Sequence, residues 1–148
     1  MSEDTPGYGT PGPRIERVVE TALYVDDLPR AAAFYGDVLG LKVMSQGERL
    51  AAIDAGGATV LLLFRRGATL EGFRWPGGFI PPHDGSGPAH LAFAVTRAAL
   101  DEWEERLQSR GIEIESRVTW SAGGRSLYFR DPDGHSVELV TPGTWDNY

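Results

Sequence analysis

Hydrophobic and polar positions change period along the chain, and the changes outline its elements. Residues 18–25 (VVETALYV) are β-forming, and Asp26, Asp27 and Pro29 then open a helix with an N-cap acid and an early proline. In that helix Ala31, Phe34, Tyr35 and Val38 recur at i, i+3, i+4 and i+7, so one face is buried, and Gly40 stops it. Residues 41–44 resume a strand, and 50–54 and 58–64 flank Ala55-Gly56-Gly57 as a hairpin.

The second half repeats this order. ETALYV from Glu20 matches HLAFAV from His90, and a second helix follows from Thr96, with Leu100, Trp103 and Leu107 at helical spacing and Gly111 as its stop. GLKV from Gly40 matches GIEI from Gly111, and DAGG from Asp54 matches DPDG from Asp131. The offset grows between the last two matches, which places about six inserted residues around 117–124. The repeat predicts an α+β fold of two βαβββ modules forming a cupped mixed sheet. The expected organisation is a disordered tail over 1–13, then one domain over 14–142. Within it, modules 14–64 and 88–142 are joined by a loop over 65–87, and 143–148 is a second tail. Phe73, Trp75, Phe79 and Ile80 make that loop too apolar for a plain linker, so it either packs on the core or walls a pocket. Trp120 in the insertion allows the same two readings.

The segment 125–140 (RSLYFRDPDGHSVELV) reads as strand, turn, strand, with Pro132 and Gly134 supplying the turn chemistry. Alternation along three strands puts Glu20, His90 and Glu138 on the faces opposite the bulkiest apolar residues. Taken singly, an exposed Glu or a hydrogen-bonded core His is the commoner case. The repeat maps Glu20 onto His90, however, and so favours one shared site. Two carboxylates and an imidazole in a partly dry hollow require a cation, and that donor set suits Mn, Fe, Ni, Mg or Zn. His83 and His135 read as solvated loop residues, and Arg125 as a candidate for holding an anionic substrate.

Charge and cysteine content narrow the chemistry further. The 148 residues carry a formal charge of −7, which argues against nucleic-acid binding. Without cysteine there is no thiolate nucleophile and no disulfide. No apolar run is long enough to cross a membrane, and the expectation is a cytoplasmic protein with a small-molecule substrate.

The stretches ETALYVDDLPRAAAFYGDVLGLKV, GPAHLAFAV and SLYFRDPDGHSVEL resemble the vicinal oxygen chelate superfamily, which includes glyoxalase I, bleomycin-resistance proteins, extradiol dioxygenases and fosfomycin-resistance thiol transferases. The resemblance implies a homodimer, one divalent metal held by Glu20, His90 and Glu138, and Tyr128 as a catalytic hydrogen-bond donor. Phe79, Trp120 and Arg125 are the substrate-binding candidates. The fourth glyoxalase-type ligand position maps onto Leu61, which favours a dioxygenase-like or fosfomycin-type three-ligand enzyme over a glyoxalase lyase. The alternative is a metal-free drug-binding protein of the bleomycin-resistance type.

Overall fold

The computed structural model describes residue 9 and residues 11–148; residues 1–8 and 10 of the expected tail lie outside the described residues. In chain order the elements are β1 (Glu20–Val25), α1 (Leu28–Ala33), a π-helical turn (Phe34–Val38), β2 (Lys42–Gln46), β3 (Leu50–Asp54), β4 (Val60–Arg65), β5 (Phe73–Trp75) and β6 (Gly78–Ile80). They continue with β7 (His90–Ala94), α2 (Leu100–Ser109), β8 (Ser116–Thr119), β9 (Arg125–Arg130) and β10 (Ser136–Val140).

The fold is the expected α+β, glyoxalase-like one. Two four-stranded mixed sheets share one plan, ordered β1-β4-β3-β2 and β7-β10-β9-β8, with the first and last strand of each module parallel. The helix begins as its sequence dictates: the Asp27 carboxylate accepts from the Arg30 amide at 3.0 Å, next to the early Pro29. Gly40 at φ +69° ends the segment in the left-handed region.

Both sheets turn their apolar faces to one shared helical layer. Leu23, Ile53 and Leu63 from the first sheet and Leu127, Phe129, Val137 and Leu139 from the second belong to a single core with Ala31, Tyr35, Leu100 and Leu107. Across the module boundary Phe34 meets Phe129 at 6.3 Å between centroids, and Tyr35 meets Phe93 at 6.4 Å. A fully buried side chain such as Phe129 contributes about 1.5–3 kcal/mol. Arg106 of α2 donates from Nε to the Val38 carbonyl at 2.8 Å and from Nη2 to that of Asp37 at 3.0 Å, satisfying carbonyls at the negative end of the first helical segment. With the core between the sheets, their opposite faces look outward.

The 131–135 turn is the second bond between modules. Asp131 Oδ1 accepts from the amides of Asp133 and His135, and its Oδ2 accepts from the buried Tyr35 hydroxyl at 2.8 Å. Asp133 Oδ1 accepts from the Asp26 amide at 2.8 Å, and the Pro132 carbonyl accepts from Arg30. His135 is 1% exposed; Nδ1 accepts from the Ala89 amide, so Nε2 carries the proton and donates to the Tyr24 carbonyl, each across 2.8 Å. The expectation of a solvated His135 is therefore corrected: the turn docks on the other module instead of facing water.

Three further expectations change. The apolar loop is a β5–β6 hairpin whose Phe73, Trp75, Phe79 and Ile80 are 40–60% exposed, so it does not pack on the core. Residues 111–114 form no strand, and β8 begins only at Ser116. The insertion itself lies where the repeat places it, in the β8–β9 hairpin, because Ser45 faces Ala52 as Ser116 faces Tyr128. The 143–148 segment turns back on the second sheet: the Tyr148 hydroxyl donates to the Val140 carbonyl at 3.2 Å, and the Gly124 amide donates to Gly143.

Candidate functional site

The outward face of the second sheet carries the densest chemistry. Ala92 of β7 lies beside Glu138 of β10, which lies beside Tyr128 of β9, and His90 starts β7 one pleat away. Glu138 is 6% exposed although it points out of the core, because its neighbours enclose it. Ser126 Oγ donates to Glu138 Oε2 at 2.5 Å, and Trp120 Nε1 donates to Ser126 Oγ at 2.8 Å. The inserted hairpin thus reaches the carboxylate through one hydroxyl.

His90 faces the other carboxylate oxygen, with Nε2 3.2 Å from Glu138 Oε1. Its Nδ1 lies 3.0 Å from the Ser136 carbonyl, an acceptor only, so Nδ1 is the protonated nitrogen of the neutral ring. The Nε2 lone pair and the carboxylate then converge, an arrangement that repels unless a proton or a cation sits between them. The donor set accordingly fits one divalent ion at two of its positions. Tyr128 stacks along His90 at 6.1 Å and 24°. Burial, and next the Glu138 carboxylate, hold its phenol above the ordinary range, so it stands as a neutral donor.

Glu20 is not part of this cluster. It is exposed at the start of β1, and among the described residues no group of three or more His, Cys, Asp or Glu is placed to hold a metal. Glu20 and His90 stand on separate four-stranded sheets, with no strand pairing between the two among the described residues. Register also corrects the fourth position: Ala22 pairs with Leu62 as Ala92 pairs with Glu138, so the counterpart of Glu138 is Leu62, and Leu61 lies buried beneath the helices. The position remains apolar.

Of the other candidates, Trp120 touches the site through Ser126. Phe79 rests on Gly72 and under Arg74 within its own hairpin. Arg125 alternates onto the face opposite Tyr128 and pairs with Asp101 of α2 at 3.2 Å, away from the His90–Glu138 cluster. Ser126 was missed by sequence reasoning, though its i, i+2 spacing to Tyr128 marks the same face. His83 is exposed as expected, but it is hydrogen-bonded to Tyr24.

No helix among the described residues is long and apolar enough to cross a membrane. Known proteins share this fold. A structure of lactoylglutathione lyase from Agrobacterium tumefaciens is 35% identical, with a TM-score of 0.81 over 89% of this chain and 98% of that one. The lactoylglutathione lyase of Salmonella typhimurium is 31% identical over 84% of this chain and 91% of its own length. The metallothiol transferase FosB of Staphylococcus saprophyticus is 26% identical over 86% and 78%. The family model for the Glyoxalase/Bleomycin resistance protein/Dioxygenase superfamily matches residues 17–139. The chain is a member of that superfamily.

Proposed function

We propose that the chain is a cytoplasmic, metal-dependent enzyme that acts on a small molecule through two adjacent oxygens, with a three-donor site of the fosfomycin-type thiol transferase kind. The observation that carries this reading is the convergence of His90 Nε2 and Glu138 Oε1 at 3.2 Å while Nδ1 is committed to the Ser136 carbonyl. Glu20 is the counterpart of His90 in the other module, and a homodimer that sets β1 of one copy beside β7 of the next supplies it as third donor. The apolar Leu62 leaves a coordination position to substrate.

The ion would act as a Lewis acid that polarises the substrate oxygens. The chain's own part is positional. Ser126 fixes the Glu138 carboxylate so that one oxygen stays free for the ion, and His90 is held by its backbone acceptor. Tyr128 offers a neutral hydroxyl to an oxygen that gains negative charge during reaction. With no cysteine in the chain, a thiol for transfer comes from a co-substrate.

A second reading, lyase chemistry on a glutathione adduct, is favoured by the 35% identity to the Agrobacterium lyase. The test is metal binding and turnover together. Calorimetry with Mn²⁺ and Ni²⁺ is expected to give one ion per site in wild type and loss in Glu138→Gln, Glu20→Gln and His90→Ala, with His83→Ala unchanged. Loaded protein is then assayed with fosfomycin plus glutathione or cysteine, and with the methylglyoxal–glutathione adduct. Turnover of the adduct alone selects the lyase. Absence of metal binding in wild type removes both readings in favour of a metal-free binding protein.

A further inference from the structure

The outward face of the first sheet ends in a second polar group that the proposed metal site does not use. Tyr24 lies on the same face of β1 as Glu20, four residues further on, or about 13 Å along the strand. Its hydroxyl is 2.5 Å from Nδ1 of His83. Phe64 of β4 completes the group, its ring 6.1 Å from Tyr24 and 4.8 Å from the His83 imidazole, edge to face. Between this cluster and Glu20 the face is apolar, formed by Ala22 and Leu62.

His83 is held in place by the chain around it. Its amide donates to the Thr69 carbonyl at 3.1 Å, and its own carbonyl accepts from Thr69 Oγ1 at 2.5 Å. Arg66, itself paired with Asp26 at 2.9 Å, donates to the Gly85 carbonyl. Gly85 passes flat against the Tyr24 ring, where a Cβ would stand 2.5 Å from Cδ2. The strap over 83–85 thus needs glycine to seat the imidazole over the sheet. With the phenol donating to Nδ1, the imidazole proton sits on Nε2. That nitrogen makes no hydrogen bond among the described residues, and the residue is exposed.

We propose that Tyr24 and His83 form the distal, specificity-determining end of the substrate pocket. There His83 Nε2 donates to a neutral acceptor, an amide or hydroxyl oxygen, carried by an apolar segment whose far end bears the two adjacent oxygens. The proposal rests on the metal reading above for that far end only. A neutral group is selected over an anion because the Asp84 carboxylate follows His83 directly in the strap, bonded to the Gly85 amide, while Arg66 beside it is already paired with Asp26. A small dicarbonyl would leave the distal end to water, so the inference favours an elongated substrate.

The test uses the three histidines of the chain as separate reporters in a ¹⁵N-histidine-labelled protein. Zn²⁺-loaded protein is titrated with acetohydroxamate and with a hydroxamate that carries a primary carboxamide on a chain spanning roughly 13 Å. Both probes are expected to shift His90, and only the long one to shift His83. The long probe should bind about tenfold more tightly, a gain of about 1.4 kcal/mol. Tyr24→Phe and His83→Ala are expected to remove that gain while leaving acetohydroxamate binding intact. A silent His83 beside a responding His90, or a gain that survives in His83→Ala, overturns the proposal. Should Zn²⁺ leave His90 unmoved, the metal reading fails separately. The long probe is then added to metal-free protein, where a His83 shift supports the distal pocket and none overturns it.

Discussion

His135 Nε2 donates to the Tyr24 carbonyl oxygen across 2.8 Å, joining the turn before the last strand to the end of the first. Its other ring nitrogen accepts from Ala89, the residue that leads into β7. One neutral imidazole therefore ties three strand ends together, two of them in different modules.

Replacing His135 by Ala should empty a buried site and leave the part-buried Ala89 amide and Tyr24 carbonyl without their partner. The expected loss is about 2–4 kcal/mol, whereas His83→Ala, on an exposed residue, should cost less than about 1 kcal/mol. Urea unfolding read by far-UV circular dichroism checks this, with midpoints shifted and slopes unchanged. Equal midpoints for the two variants would contradict the clasp.

Ser126 fixes one oxygen of Glu138 without contacting the space where an ion would sit. Ser126→Ala should weaken Mn²⁺ binding roughly 10- to 100-fold while the unfolding midpoint changes little, because an orienting hydroxyl tunes its ligand. Trp120, bonded to the same hydroxyl, gives a fluorescence signal whose change on Mn²⁺ addition should shrink in the variant.

Separate chains should complement one another if Glu20 meets His90 and Glu138 across a dimer. Glu20→Gln and Glu138→Gln proteins, each metal-free alone, are mixed after mild unfolding and refolding. Half the dimers are then mixed and each carries one intact site, so about a quarter of wild-type Mn²⁺ binding should return. No recovery would place Glu20 outside the site.

Alkaline pH offers a test of the buried Tyr35. Burial, then the Asp131 carboxylate that accepts its hydrogen bond, push its pKa far above the ordinary phenol range. Below about pH 10 the phenol is neutral in both folded and unfolded chains, and stability is unaffected. Above that the unfolded chain releases the proton and the folded one holds it, so stability falls as pH rises. Tyr35→Phe should be less stable at neutral pH by about 1–3 kcal/mol, because Asp131 loses its donor, yet show a shallower decline between pH 10 and 12. Matched denaturation curves at pH 8 and 11 measure both effects.

The core was legible because periodicity reports burial directly: Ala31, Phe34 and Tyr35 recur at helical spacing and all enter the shared layer. The pairing of His90 with Glu138 followed from strand alternation and from the repeat. His135 escaped because nothing local distinguishes a turn that docks from one that faces water; its partners are a carbonyl and an amide 111 and 46 residues away. Arg125 was singled out because it flanks the hairpin, and its ion pair with Asp101 of α2, 24 residues away, is not legible from that position. The shift from Leu61 to Leu62 came from counting through turns of unequal length, which only the strand pairing resolves.

Cohesion in this molecule resides on the inward surfaces, in the helical layer and the docked turn. The outward surfaces, which hold the reactive groups, bear little of that burden. Several residues there can be exchanged without threatening the scaffold, so new ligand preferences can arise by a few substitutions at Ala22, Leu62 or His83, while Gly85 and the inner layer stay as they are.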